Sequence, residues 1–570
     1  MLTDETFDDQ ADLAIYGAPT YGSLYEASAA IDTTTNAAPN PYRGYRANEF
    51  AAYAQDDWKM TNKLTVNLGL RWEYFGPPHN FQAGYDSNVF FGAFTTPTPN
   101  GNPFLPNTTF VGAMQGATFQ VVPNSSHSTL WNKDTNNFGP RLGFSYDPTG
   151  RGKMAIRGGL GISFDRLYNN AYENIRFNSP RYSDNTIGAL INGVVAGALE
   201  QPALINLPFT ANNLFSAYGG KPVPRQVDPR LVTAYYEQAN LGIERELAKG
   251  YVAEVNYVGT FGRKLIGLKD ANNFDGRTAC PTLTATCQAA GFTKATTARP
   301  NLLFNGDNFR NNGFTSNYHG LQASVRKGYS NGLMFLANYT YSKTMDEVSD
   351  IFDLKASAAQ TGITDPLNPK YDYGPADFDV RHMAAITVNY ESQWRKENLL
   401  LGGWGVSPII QVQSGTPFSI IDSSGTYNPN KDGRPGFDRA VYVGTGSYNS
   451  AIVHNARPTG PGYLQVSQFK AYTCPATVNY GLWCDPPMAR NAFYGPAFAQ
   501  VDLAVSKRFK VREGQHLIAQ VAFFNLFNHP NFNDPVGDIN NPSQFGFAQS
   551  TVGLETPSSR NTQLSLRYNF

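Results

Sequence analysis

Few residues in this 570-residue chain stand where chemistry could be done. Its seven histidines are scattered, and no two share the H-E-x-x-H spacing that sets two imidazoles on one helical face around zinc. Ser407 lies in GVSPI, which lacks the second glycine of a nucleophile elbow. Gly158, Gly159 and Gly161 could cradle a phosphate only between a strand and a helix, yet the segment around them alternates like a strand. Missing side chains there let a sheet curve or another domain approach. Asp346, Glu347, Asp350 and Asp353 could gather calcium, but an acidic solvated loop accounts for them more simply. Asn428, Asn430 and Asp432 before Gly433 imitate the start of a calcium loop, and its twelfth place is Arg439 where a carboxylate is required. The expectation is a protein that is not an enzyme and carries no metal and no cofactor.

Cysteine chemistry is the exception. Cys280 with Cys287 and Cys474 with Cys484 fall as two local pairs inside long connections. Three connectivities are open, and local disulfides in an oxidising compartment are the expected one. No histidine sits near enough to suggest a metal site.

The elements around these residues alternate apolar and polar side chains for ten or more positions. From Leu64 to Tyr74, the residues Leu64, Val66, Leu68, Leu70, Trp72 and Tyr74 share one face, and Thr65, Asn67, Gly69, Arg71 and Glu73 share the other. Such segments are expected over 47–58, 63–75, 138–147, 153–165, 232–247, 250–261, 317–327, 332–343, 379–391, 401–413, 497–510, 515–527 and 560–570. They are about twice as long as strands of soluble sandwiches. Very short turns and long polar loops alternate between them, which places the turns at the periplasm and the loops outside. The fold class read from this is all-β: an antiparallel transmembrane outer-membrane β-barrel.

Composition agrees. Hydrophobic residues make up 41%, with a mean hydropathy of -0.37, too little for a membrane-crossing helix, whereas a barrel strand needs only every second residue apolar. Aromatic residues at 13% suit rings placed at both membrane interfaces, with outer-membrane lipid as the surrounding partner. Trp58, Trp72, Tyr390 and Trp404 fall near strand ends, as such a girdle requires. Lysine and arginine total 45, as do aspartate and glutamate, so no electrostatic footprint for nucleic acid exists.

Polar positions on the strands define a lumen-facing set: Arg71, Glu73, Arg157, Asp165, Gln238, Glu244, Gln322, Arg326, Asp502 and Arg508. Most are expected to form solvated ion pairs across strands, each worth about 1 kcal/mol or less. Thirteen strands cannot close antiparallel, because the first and last would run the same way. Either residues around Asp12 to Ala29 add a strand, or strands upstream are missing. Met1 to Gln10 is acidic and lacks an export signal, so a truncated chain is expected. The division expected is an N-terminal segment, 1–46, with room for one strand, and a barrel over 47–570.

Several stretches together resemble the C-terminal barrel of TonB-dependent receptors, in the Oar-like branch that carries a carboxypeptidase regulatory-like domain. They are NFGPRLGFSYDPTGRGKMAIRGGLGISFD (137–165), YYEQANLGIERELAKGYVAEVNYVGTFGRKL (235–265), NYHGLQASVRKGYSNGLMFLANYTYSKTMDE (317–347), GPADFDVRHMAAITVNYE (374–391), LGGWGVSPIIQVQSGTPFSI (401–420), FFNLFNHPNF (523–532) and the closing RNTQLSLRYNF. The resemblance implies about 13–14 strands of a parent barrel of roughly twenty-two. It also implies uptake of an unknown ligand, driven by the TonB complex through an N-terminal region. Neither that region nor the plug domain can be matched here. By the same resemblance, Leu564, Leu566, Tyr568 and the terminal Phe570 form the signal read by the barrel-assembly machinery. An adhesion or polysaccharide-binding surface protein, using loops 76–137 and 415–496, and a passive porin are the alternatives.

Overall fold

A computed structural model describes residues 27–31, 43–91, 117–178, 180–181, 183–187, 224–272, 307–349, 369–395, 398–423, 438–457, 460–472, 488–552 and 559–570. Thirteen strands make the path of one large sheet: β1 Glu49–Lys59, β2 Leu64–Phe75, β3 Asn137–Tyr146, β4 Met154–Asp165, β5 Ala234–Ala248, β6 Tyr251–Asp270, β7 Asn308–Ser330, β8 Leu333–Asp346, β9 His382–Glu391, β10 Trp404–Gln413, β11 Phe498–Arg512, β12 Gln515–Phe524 and β13 Asn561–Asn569; two short strands, Arg225–Val227 on β7 and Gly374–Pro375 on β8, join it off that path. Each of the thirteen pairs antiparallel with its neighbour in chain order. β1 and β13 are the two edges, run the same way, and are not paired to each other.

Turn chemistry sets one rim. Asn331 and Gly332 take φ of 52° and 77° and close the β7–β8 hairpin in two residues, the left-handed pair that matches the twist of the flanking strands. All six connections on this rim are short, the longest being 392–403, and every connection on the opposite rim runs to tens of residues. The short-turn rim is therefore periplasmic.

Pairing register carries one side chain parity across the whole sheet. Leu68 stands opposite Leu142, Leu142 opposite Leu160, and Leu321 opposite Tyr341 and Tyr257. This face is bare: Leu160 is 60% exposed and Leu566 71%. A soluble sandwich would bury such a row, whereas a membrane wall offers it to lipid. Gly158 lies on it because the Phe144 ring crosses the neighbouring strand there; a Cβ at Gly158 would come within 2.6 Å of that ring.

Buried apolar clusters sit instead above the outer rim. Phe418, Ile420, Leu464, Phe469, Phe493 and Phe545 gather from the β10–β11 and β12–β13 connections. Phe90, Leu130, Trp131, Tyr172, Ile175 and Val227 gather from the β2–β3 and β4–β5 connections. Among the described residues the apolar clusters lie in the loops and take in residues of the thirteen wall strands only at the outer ends of β6 and β7, Leu268 and Phe309.

Three expectations need correction. β6 and β7 run to 20 and 23 residues, far past 250–261 and 317–327, because ladder pairing continues beyond the lipid band through polar residues. The ascending strand expected over 515–527 stops at Phe524, since Asn525 turns the chain with φ 51°. Asp346 and Glu347 are buried, not solvated. Of the stretch around Asp12 to Ala29, only Ala27–Ala29 are described, in a strand, Ala27–Ile31, that pairs with Ser183–Ile187 in a separate two-stranded sheet. Residues 1–26, Asp350, Asp353, the 428–433 calcium-like stretch and all four cysteines lie outside the described residues.

Candidate ligand-binding site

The second face of the sheet is polar and concave. Register places Arg71, Glu73, Arg157, Asp165, Gln238, Glu244, Gln322, Arg326, Asp502 and Arg508 together on it. Glu244 pairs ionically with Arg157 at 3.6 Å and accepts a hydrogen bond from Arg326 at 3.3 Å, joining β4, β5 and β7. Arg71 pairs with Glu73 at 2.9 Å, and Arg508 with Glu391 at 3.3 Å. These pairs are partly exposed, so water screens them and each contributes below about 1 kcal/mol. Asp502 is committed differently: it accepts the Asn525 amide at 2.8 Å and the Gln500 side chain at 3.0 Å, holding the turn above β12.

Toward the outer rim this face opens into a cavity of about 890 Å³. Tyr318, Gln322, Thr340 and Thr344 on β7 and β8 form its floor, and Glu49 and Asp165 stand at the ends of β1 and β4. Of the expected lumen set, Gln322 and Asp165 reach this cavity and the others lie elsewhere on the face. Tyr172 and Trp131 close the other side, their rings 5.5 Å apart at 65°. Burial pushes the Tyr172 hydroxyl up to about 12, so it stays a neutral donor, to Asn169 at 2.8 Å. Among the described residues of the lining the one guanidinium, Arg166, is held by Glu49 at 2.6 Å. The other polar groups of the described lining are hydroxyls, amides and carboxylates, and aromatic rings and aliphatic side chains such as Leu231 and Ile266 supply the apolar faces. Such a lining can hold a ligand by hydrogen bonding and stacking.

A buried ionic latch fixes the outer loops over this mouth. Arg490 donates to Asp346 Oδ1 at 2.8 Å, to Asp377 Oδ1 at 3.3 Å, to Ser349 Oγ at 2.5 Å, and to the backbone carbonyls of Asp346 and Asp372. Burial lowers the guanidinium's affinity for its proton, but Asp346 and Asp377 more than offset this, and the net direction is upward. Arg439 donates to Asp372 and to the Met488 carbonyl and lies over the Tyr371 ring. A lone Arg490 carries no signal in the sequence, and its main partner sits 144 positions away. The acidic run at Asp346 was the one visible hint, and there it suggested solvent or calcium.

A family model described as an outer membrane beta barrel domain matches residues 9–563. The chain belongs to this family of outer-membrane β-barrels. The barrel is thus a protein of the outer membrane, with its bare face in lipid and its polar face in water. Among curated proteins none matches the barrel. Among solved structures it is similar to the outer membrane transporter YddB from Escherichia coli, at 10% identity, a TM-score of 0.43, and coverage of 92% of this chain and 54% of that one. It is similar also to the pyoverdine outer membrane receptor FpvA from Pseudomonas aeruginosa PAO1, at 10% identity, a TM-score of 0.42, and coverage of 92% and 42%. The FrpB iron transporter from Neisseria meningitidis matches at 9% identity and a TM-score of 0.39, over 92% and 46%. The barrel spans about half the length of the solved chains it matches or less.

Proposed function

We propose that the barrel is part of the wall of a TonB-dependent receptor that takes a ligand across the outer membrane. The observation that carries the reading is the cavity at the outer mouth: it is built on the water-facing side of the wall and roofed by loops that have their own packed cores. A passive pore needs no such roof. Residues 47–570 form the receptor-like barrel in this reading, with 1–46 as a separate N-terminal segment. β1 and β13 run the same way, so antiparallel closure takes an odd number of further strands, in keeping with a wider wall. A gating plug, energy from the TonB complex and insertion by the barrel-assembly machinery through Leu564, Leu566, Tyr568 and Phe570 belong to the same proposal.

The test is uptake by porin-depleted cells expressing the protein, given labelled ferric siderophores, oligosaccharides and peptides with and without a protonophore. Uptake that stops with the protonophore, and weakens when Gln322→Leu alters the cavity floor, supports energised transport. Uptake that ignores the protonophore refutes it. Packed outer loops around Phe418 and Phe493 also favour a second reading, a surface that binds other cells or polysaccharide. Adhesion lost on removing loop 415–496, with import unchanged, would favour that one.

A further inference from the structure

The lipid-facing side of the outer rim carries a row of basic groups. His319 on β7 stands opposite Lys343 on β8, and the adjacent Tyr341 stands opposite His382 on β9. The three basic side chains lie on three neighbouring strands near one level, and all are exposed. Two strand spacings separate the histidines, about 10 Å. Each histidine repeats one arrangement. Tyr257 Oη lies 2.8 Å from Nδ1 of His319, and Tyr339 Oη lies 2.8 Å from Nδ1 of His382. A second ring packs on each imidazole, Phe261 at 5.2 Å and Tyr341 at 5.1 Å. When the tyrosine donates to Nδ1, the ring proton sits on Nε2, so each imidazole offers an outward N–H even when neutral.

Among the described residues nothing on this face neutralises the row. Lys343 has no hydrogen-bond or ion-pair partner among the described residues. The acidic neighbours are engaged elsewhere: Glu237 with Arg263 at 3.5 Å, and Glu347 with the Thr315 amide at 2.7 Å. Toward the periplasm the same face turns apolar, with Leu321 48% and Val325 38% exposed. A ligand that fits both zones carries negative charge above an aliphatic body.

We propose that His319, Lys343 and His382 bind the phosphate of a phosphorylated glycolipid in the outer leaflet, whose acyl chains lie along the apolar band below them. Charge complementarity selects the phosphate, and the continuous apolar face beneath selects a lipid over a free ion. The site faces away from the cavity and does not depend on the transport reading.

The protein is purified, placed in phosphatidylcholine vesicles containing either diphosphoryl lipid A or its dephosphorylated form, and the retained lipid is counted by native mass spectrometry. Wild type is expected to enrich the phosphorylated form. Lys343→Gln should lower that enrichment about fivefold, and His319→Gln with His382→Gln should lower it further, while Lys343→Arg keeps it. Heat-modifiable migration on a gel verifies folding; Lys343 is exposed and unpartnered, so its variants suffice if the histidine variants misfold. Equal enrichment of both lipid forms, or unchanged enrichment in Lys343→Gln, overturns the site. Inorganic phosphate that displaces the lipid as well as added lipid A does would overturn the choice of a lipid.

Discussion

Replacing Arg490 with methionine tests whether the outer loops are held by charge. The side chain is 3% exposed, and its partner Asp346 carboxylate is equally hidden, so the change leaves buried acidic groups without their counter-ion. Methionine keeps most of the volume, which isolates the electrostatic part. Removing one member of a buried pair costs about 3–5 kcal/mol. At about 1.4 kcal/mol per tenfold, opening of the latch should become more frequent by two to three and a half powers of ten. The observable is hydrogen exchange at amides bonded within the latch, Ala376 to Thr344, Asp379 to Ala376 and Asn491 to Ser419. Amides of the β11–β12 ladder should keep their protection, because that pairing does not pass through Arg490. Adding Asp346→Asn to the same variant should recover part of the loss, since the orphaned charge is then gone. Acceleration below tenfold, or equal acceleration in the wall, would refute the latch.

Three further outcomes follow from the geometry. Leu566→Arg, on the bare face of β13, should cost about 2–4 kcal/mol in urea titrations of the reconstituted barrel, and Gln563→Arg on the opposite face close to nothing; equal costs would mean the faces are reversed. Asn525→Ala should destabilise by about 1–3 kcal/mol, because Asn525 is buried at φ 51° and its side chain exchanges hydrogen bonds with His529; a neutral result in the same titration would remove the turn's role. Asp147, in the β3–β4 turn, is held below the usual carboxylate range by the Thr149 hydroxyl and by the amides of Gly152, Gly150 and Thr149. A lowered folded value stabilises the turn above the ordinary carboxylate pKa and loses that contribution as pH falls through the folded one. Protection at Gly150 and Gly152, corrected for intrinsic exchange, should therefore fade only below about pH 4; protection that is flat with pH contradicts it.

The wall was legible because lipid on one side and water on the other force a period of two, and each of the thirteen strands shows it. Where that constraint ends, so does the pattern. In β6 the register shifts between Gly262 and Leu265, around Lys264 at φ 52°, and alternation slips by a residue. A reading by parity therefore stopped at Phe261 while the strand ran on to Asp270. The outer loops hid more. Several of their pairings, such as Pro417–Phe418 with Phe493–Tyr494 and Ile421–Asp422 with Asp438–Arg439, are two residues long and leave no periodic trace. Arg490 joins segments that are remote in sequence, and nothing local marks a residue as the counter-ion of a distant carboxylate. Of the cavity, Gln322 and Asp165 could be read from strand parity, whereas Trp131 and Tyr172 come from connections that parity says nothing about.

The reach of β7 makes the rim lopsided. Its 23 residues extend about 75 Å and, tilted as barrel strands are, rise about 50 Å, twice the apolar height of about 25 Å that such a wall presents to the bilayer. β1 and β2, of 11 and 12 residues, rise little beyond that height. Yet the outer part of β7 is covered: Phe309, Arg310 and Phe314 are buried, and Phe309 packs with Val89, Ala117 and Ala271 from the connections beside it. Among the described residues, β7 is thus a mast on which outer loops are stayed, and strand and loops stand or fall together there.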